Sequence, residues 1–409
     1  MAYFSWLHRL SFEPAEGSAG SCMGDAWRQL TRAVRPRDAG QWSARNWQGN
    51  RCYLFLAGMM VMSELARREG VFDWLAVHAV RAAEKSRTRL FAMIYGVGVL
   101  VTVFLSNDAT AVVLTPAVQS AVKAAEVEPL PFLFICAFIA NAASFVLPIS
   151  NPANLVVYGK GLPPLGDWLL RFGLPSLLSI AVTFFVLRFL SAKFLKGDVA
   201  GRLETQPLSP SGKLTFGGIG FLGIVLIVAS GLGKDLGALT CIASLLVAAI
   251  VTSRDRDVPR DILQEVSWSV IPLVAGLFVI VEAMNSAGAM RATIAILHKM
   301  QNWNTIRSTL SAAFGVALLS NLMNNLPSGL ISGSAITASG TTGPLRDAVL
   351  VGVDLGPNLS VTGSLATVLW LIAIRRQGQH VGFWRFLKWG VLVMPPALAF
   401  AVLSLLVGQ

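Results

Sequence analysis

Four short segments of this 409-residue chain set asparagine, serine, threonine and glycine beside proline within apolar surroundings. The first is Ser106-Asn107-Asp108-Ala109-Thr110, running on to Thr115-Pro116. The second is Asn141-Ala142-Ala143-Ser144, followed by Pro148-Ile149-Ser150-Asn151-Pro152-Ala153-Asn154. The third is Ser320-Asn321-Leu322-Met323-Asn324-Asn325-Leu326-Pro327. The fourth is Asp354-Leu355-Gly356-Pro357-Asn358, followed by Thr362-Gly363-Ser364-Leu365-Ala366-Thr367. Amides and hydroxyls both donate and accept hydrogen bonds. A pocket built from them suits a small neutral polyol or hydroxide better than a multiply charged anion, which would want cations. No Arg lies in any of the four segments.

Two of the segments also carry a carboxylate, Asp108 and Asp354. A carboxylate at membrane depth is costly enough to be a functional hypothesis by default. It offers a group that binds and releases a proton. Glu64 and Glu282 lie near the ends of apolar runs, where a functional role and a snorkelled structural one are both open. Any single Ser or Thr here is best read as glue between helices, and a lone Pro or Gly as a kink. The four clusters together are better read as a site. The candidates for proton coupling are Asp108 and Asp354, the latter alternatively capping a half-helix N-terminus. Candidates for holding substrate are Asn107, Thr110, Asn141, Ser144, Asn151 and Asn154 from the first half. From the second half they are Asn321, Asn324, Asn325, Gly363, Ser364 and Thr367.

The elements that must position these residues are membrane spans. Hydrophobic residues make up 54% of the chain and charged ones 13%, with a mean hydropathy of +0.62. Soluble domains carry about 25% charged residues, so a cytosolic enzyme, a disordered chain and a nucleic-acid module are excluded. The net charge of +11 sits in short clusters between apolar runs, as in loops facing an anionic membrane surface. Four cysteines and four histidines are scattered singly, without the spacing of a disulfide framework or a zinc site. No metal or cofactor is expected.

Spans need about 17 to 25 apolar residues. Candidate runs are 53–65, 90–105, 130–149, 172–194, 214–230, 236–252, 268–284, 306–319, 348–355, 361–374 and 386–406. Several are too short to cross alone, as expected of helices interrupted at membrane depth, where unwound backbone survives only when it lines a cavity or is buried in protein. The arginines between 67 and 89 outnumber those of the corresponding later stretch, which places the first set on the cytoplasmic side. Residues 70–83 fit an amphipathic helix lying along the surface, and Trp74 and Trp268 fit interface anchors.

An internal repeat organises the runs. Gly58, Glu64 and Gly70 match Gly276, Glu282 and Gly288 at an offset of 218, and Leu105-Ser106-Asn107 matches Leu319-Ser320-Asn321 at 214. Secondary transporters are often built from two inverted-topology repeats with discontinuous helices at the midplane. The expected architecture is therefore an all-α polytopic membrane protein of two such repeats, residues 53–195 and 214–409, joined by a polar linker at 196–213. The second repeat has two spans ahead of 268, whereas nothing comparable precedes residue 53. Residues 1–52 hold seven Arg, four acids and four Trp and no apolar run suited to a span or signal peptide. The expectation is a truncated or misread start in which early spans of the first repeat are lost, against the alternative of a genuine interfacial extension.

At these residues the chain resembles the arsenite efflux permeases (arsenical pump membrane proteins) of the ion transporter superfamily. The carrying stretches are SNDATAVVLTP at 106–116, FIANAASFVLPISNPAN at 138–154, SNLMNNLP at 320–327 and DLGPNLSVTGSLATVLW at 354–370. The last two are the specific ones, and the resemblance runs from about residue 54 to the C-terminus. It implies two inverted repeats, each with a re-entrant hairpin and a broken helix, in a bacterial plasma (inner) membrane. The implied activity is export of arsenite and antimonite coupled to protons, in some members beside a cytosolic arsenite-stimulated ATPase. Undissociated arsenite is a small neutral metalloid trihydroxide, in keeping with the cation-poor clusters. One departure is Asn141, where such permeases often carry Asp in an Ala-Asp-Thr-Ala-Ser arrangement. Rival readings are a sodium/proton antiporter, a carboxylate transporter, and a membrane subunit that docks a soluble ATPase without transporting alone.

Overall fold

The computed structural model describes residues 54–55, 57–158, 162–199, 207–234, 236–253 and 287–407, with residues 276 and 283. The expected N-terminal segment, the run at 268–284, Trp268 and Glu282 lie outside the described residues. The described chain is all-helical. Helix α1 covers residues 57–68 and α2 is Val71–Ala82, followed by α3, Arg87–Phe104. Helix α4 is three consecutive pieces, Asn107–Ala109, a π-helical Thr110–Leu114 and Thr115–Ala124. Then come α5, Leu130–Ala142, α6, Pro152–Tyr158, and α7, Leu165–Leu190.

The second half runs α8, Pro210–Gly231, α9, Leu236–Thr252, α10, Ala289–Gln301, α11, Thr305–Met323, and α12, Asn325–Ser339. It closes with α13, Pro344–Leu355, a 3-10 turn Gly356–Leu359, α14, Leu365–Arg376, and α15, Phe383–Ser404. Five of these (α3, α7, α8, α11 and α15) are long and apolar enough to cross a membrane. Their outer faces are greasy: Leu170, Phe189 and Leu322 are 86%, 80% and 84% exposed, which water would not tolerate as a continuous surface but lipid does.

Helix starts repeat at a fixed spacing. Gly70 and Gly288 open α2 and α10, both left-handed, at φ 71° and 96°. Ser86 and Asn304 cap α3 and α11 by accepting from the backbone N–H of Arg89 and Arg307. Ser106 and Asn324 cap α4 and α12. All three pairs are 218 apart. The tip of the first hairpin, Ser106-Asn107, therefore corresponds to Asn324-Asn325. Ser320 and Asn321, which share its residue types at the shorter offset, lie in the last turn of α11 instead.

The runs at 130–149 and 361–374 are each interrupted. Helix α5 stops at Ala142, and turns lead to α6; α14 begins only at Leu365, capped by Ser364. Helix α5 is buried along its whole length, and α13 from Asp347 to Leu355, the signature of helices at the centre of a bundle. The halves exchange contacts around this pair. Helix α4 packs on α14, and α12 on α6. The second contact needs glycine, because a Cβ at Gly333 would sit 2.7 Å from the Val157 carbonyl oxygen.

The start of the polar linker is docked rather than free. Arg87 donates to the carbonyls of Lys196 and Asp198, and Val199 N–H to Lys85 O at 2.7 Å. Its end, from Pro210, is already helical. Along α2, Val71, Phe72, Ala76, Ala79 and Val80 are buried and Asp73 is exposed, an amphipathic distribution.

Candidate functional site

Helices α5 and α13 end at the middle of the bundle, and the polar segments that follow them meet there. Asn107 N–H donates to Ser150 O at 3.0 Å, and Ser150 Oγ to Val103 O at 3.0 Å. The hairpin tip between α3 and α4 is thereby stitched to the turns between α5 and α6. In the second half, Asn321 Nδ2 donates to Gly356 O at 2.9 Å, and Thr362 Oγ1 to Asn321 O at 3.0 Å. The same kind of stitch forms beneath the other tip.

Four contacts here then join the halves. Asn151 Nδ2 donates to Asp354 Oδ1 at 2.9 Å. Asn141 Nδ2 donates to Asn358 Oδ1 at 3.0 Å and faces Thr367 Oγ1 at 3.3 Å. Asn358 Nδ2 donates onward to Phe138 O at 3.0 Å. Asn154 anchors the turns from within, donating to Ser144 O and Leu147 O. Asn141, Ser144, Asn154, Asp354 and Asn358 are fully buried, and Asn151, Ser364 and Thr367 nearly so.

One expected region of the site is thus a single place. Asn141, Ser144, Asn151, Asn154, Asp354, Ser364 and Thr367 come together there, with Asn107 at the adjoining tip. Thr110 lies in the π-helical piece of α4, buried against Thr102 at 2.8 Å. Asn325 opens α12 and is buried. Asn321 and Asn324 serve the second tip. Asn321 is committed to the backbone of Ala317 and Gly356 and accepts from Ser360, and Asn324 caps Leu326 at φ 81°. Gly363 is required by closeness, since a Cβ there would fall 2.7 Å from Asn321 Oδ1.

Asp354 stands in the last turn of α13, which excludes the alternative that it caps a half-helix N-terminus. The C-terminal end of a helix carries the negative pole of its dipole, so a buried carboxylate there calls for a cation or proton beside it. Asp108 is half-buried in the first turn of α4, with no hydrogen bond or ion pair from its side chain among the described residues. Glu64 pairs with Arg67, Nε to Oε1 2.9 Å, one turn along α1.

Four buried acceptor oxygens in the cluster have no hydrogen-bond partner among the described residues: Asn107 Oδ1, Asn141 Oδ1, Asn154 Oδ1 and Asp354 Oδ2. Fourteen buried side-chain N and O atoms among the described residues lack a partner in this way, and these four are the ones where the polar segments meet. Asn358, Tyr158 and Asp347 were not among the expected site residues. Asn358 lay inside the fourth cluster and could have been chosen on composition. Asp347, which accepts from Tyr158 at 2.7 Å, follows a Gly-Pro turn and reads in sequence as an ordinary acid in the first turn of a helix.

A bundle of membrane-length helices enclosing a buried, amide-lined cluster is the form of a multi-pass membrane transporter. The chain belongs to the citrate transporter family, whose sequence model matches residues 24–374; it is a transporter and not an enzyme. It is 25% identical over 366 residues to an arsenical pump membrane protein of Escherichia coli, covering 85% of this chain and 84% of that protein. A Yersinia enterocolitica protein of the same name is 25% identical over 362 residues, with the same coverage. An uncharacterized transporter of Mycobacterium tuberculosis is 24% identical over 365 residues, 86% of this chain and 84% of that one. The resemblance carried by the four motifs is borne out by these relatives. Among solved structures, the YdaH transporter of Alcanivorax borkumensis, described as having an unusual topology, superposes with a TM-score of 0.53 at 12% identity. It covers 96% of this chain and 89% of that one, a likeness of fold alone.

Proposed function

We propose that the protein exports arsenite and antimonite from a bacterium across its plasma membrane by proton antiport, its two repeats arranged with inverted topology. The observation that carries the substrate assignment is the set of four unpartnered acceptors. An uncharged trihydroxide presents O–H donors on every side, which Asn107, Asn141, Asn154 and Asp354 would accept. The hydroxyls of Ser144, Ser364 and Thr367 and the amides of Asn151 and Asn325 complete the proposed binding set. Its tips would be re-entrant hairpins and its interrupted helices α5–α6 and α13–α14. A tricarboxylate is disfavoured because no Lys, Arg or His side chain is bonded to the cluster among the described residues, and isolated anionic charge is costly to bury.

Asp354 is proposed as the central proton-coupling group and Asp108 as a second one at the first tip. A buried carboxylate at the end of α13 with no cation bonded to it among the described residues is unfavourable, so loss of its proton on one side of the membrane and regain on the other can be linked to substrate occupancy. The test is uptake in everted vesicles under an imposed pH gradient, with arsenite, antimonite and citrate as substrates. A sodium gradient and co-expression of a soluble arsenite-stimulated ATPase form separate arms. Proton-driven arsenite uptake without sodium or ATPase is the expected result. Sodium-driven proton efflux with no arsenite uptake, or citrate uptake, would transfer the protein to a different substrate class.

A further inference from the structure

Helices α6 and α13 run side by side and are bonded twice. At one end Asn151 donates to Asp354 at 2.9 Å. At the other, Tyr158 Oη donates to Asp347 Oδ1 at 2.7 Å. Asn151, just before α6, and Tyr158, its last residue, are seven residues apart, as are Asp347 and Asp354 on α13, so the helices are antiparallel and in register. Seven residues are about two helical turns, roughly 10.5 Å.

The outer contact is buried, Tyr158 being 2% and Asp347 5% exposed. The Arg346 guanidinium lies 4.1 Å from the centre of the Tyr158 ring, and Trp168 and Phe172 of α7 pack on that ring at 5.3 and 6.2 Å. Arg171 Nη1 comes to 4.0 Å from Asp347 Oδ1, too long for a hydrogen bond. Trp168 also donates to Phe145 O at 3.1 Å, in the turns that carry Ser144 and Ser150. Helix α6 is only seven residues long, too short to hold its own place. What fixes it fixes Asn151 and Asn154.

We infer that Tyr158 and Asp347 are positioning residues for the central cluster, their hydrogen bond setting the register of α6 on α13 and so the contact of Asn151 with Asp354. This rests on the proposed role of Asp354. In this arrangement Asp347 acts as an acceptor oxygen for the Tyr158 hydroxyl, with the Arg171 and Arg346 guanidinium groups also facing its carboxylate.

The experiment compares Tyr158→Phe, Asp347→Asn and Asp347→Ala in full-length protein in lipid nanodiscs and vesicles. Tyr158→Phe keeps the ring, its aromatic box and its stacking on Arg346 while deleting the donor. Asp347→Asn keeps an acceptor, and Asp347→Ala does not. Hydrogen–deuterium exchange over residues 152–158 reads the position of α6 without any substrate, so it remains decisive if arsenite proves not to be the cargo. Exchange there should rise in Tyr158→Phe and Asp347→Ala by on the order of 2- to 12-fold, the range one net hydrogen bond supports, and stay near the parent in Asp347→Asn. The pH profile of transport should move in the first two variants and be restored in the third. Loss of transport in Asp347→Asn with Tyr158→Phe unaffected would assign Asp347 a charge or proton role and overturn the inference. Unchanged exchange in all three variants would overturn it as well.

Discussion

Asn151 donates to Asp354 at 2.9 Å across 203 residues of sequence, binding the start of a short helix in the first half to the end of a buried helix in the second. Its other oxygen, Oδ2, has no hydrogen-bond partner among the described residues, although the Ser144 side chain lies close enough to act on the carboxylate. One oxygen is thus held by the protein and one is offered. Under the proposed function, that division would let a single group sense both a proton and a substrate hydroxyl.

Asp354→Asn separates those two roles. The amide is the same size and its Oδ1 can still accept from Asn151, so the fold should persist and the protein should reach the membrane in parental amounts. Proton-driven uptake should fall by on the order of 100-fold, the scale of losing a positioned proton-transfer group. Asp108→Asn, at the half-buried tip, should cost less. Parental uptake in Asp354→Asn vesicles under an imposed pH gradient would move coupling to another residue.

Asn107 and Asn154 make a second comparison. Both have an unpartnered side-chain oxygen, but only Asn154 also uses its amide nitrogen internally, on Ser144 O and Leu147 O. Asn107→Ala should therefore leave thermal stability nearly unchanged and raise the arsenite KM by roughly 2- to 12-fold, one net hydrogen bond. Asn154→Ala should lower stability as well, by about 1–3 kcal/mol, because buried carbonyls lose their donor. Thermal unfolding in detergent, read beside vesicle kinetics, distinguishes the two.

The polar segments were legible because amides and prolines within apolar runs have few structural reasons to be there. The all-helical membrane fold followed from charge content. Pairing across the halves was not legible: Asn141 meets Asn358 and Thr367 over more than 200 residues, and no local pattern encodes such a contact. Matching Ser106-Asn107 to Ser320-Asn321 followed residue identity, whereas the caps follow geometry, in which an Asn at 324 does the work of a Ser at 106. Tyr158 and Asp347 gave no signal at all. One closes a seven-residue helix and the other opens a twelve-residue one, and only their meeting makes them notable.

Asn141→Asp tests whether the amide is needed as a donor. Its Nδ2 serves Asn358 Oδ1 at 3.0 Å and faces Thr367 Oγ1. An ionised carboxylate would set oxygen against the oxygen of Asn358. Asn358 is held in turn by Phe138 O, so turning its amide round would break that bond. The variant should lose about 1–3 kcal/mol and transport more slowly, and Asn358→Asp in the same chain should not restore it. Parental stability on thermal unfolding would show that the link between α5 and the 3-10 turn is dispensable.

Gly363 and Gly315 test the packing of the second tip. A Cβ on Gly363 would meet Pro357 Cα at 2.5 Å and Asn321 Oδ1 at 2.7 Å, whereas one on Gly315 of α11 would meet nothing within 4 Å. The neighbours of Gly363 are backbone and an amide already committed to Ser360, so neither can move aside without breaking the stitch. Gly363→Ala should destabilise by about 1–3 kcal/mol, the usual cost of overpacking. It should also depress arsenite uptake, because Ser364 and Thr367 follow directly. Gly315→Ala should be neutral or stabilising by up to about 1 kcal/mol, from helix propensity alone. Equal thermal shifts in the two variants would mean that the segment between α13 and α14 is loose enough to absorb a methyl group, and that Gly363 is there for another reason.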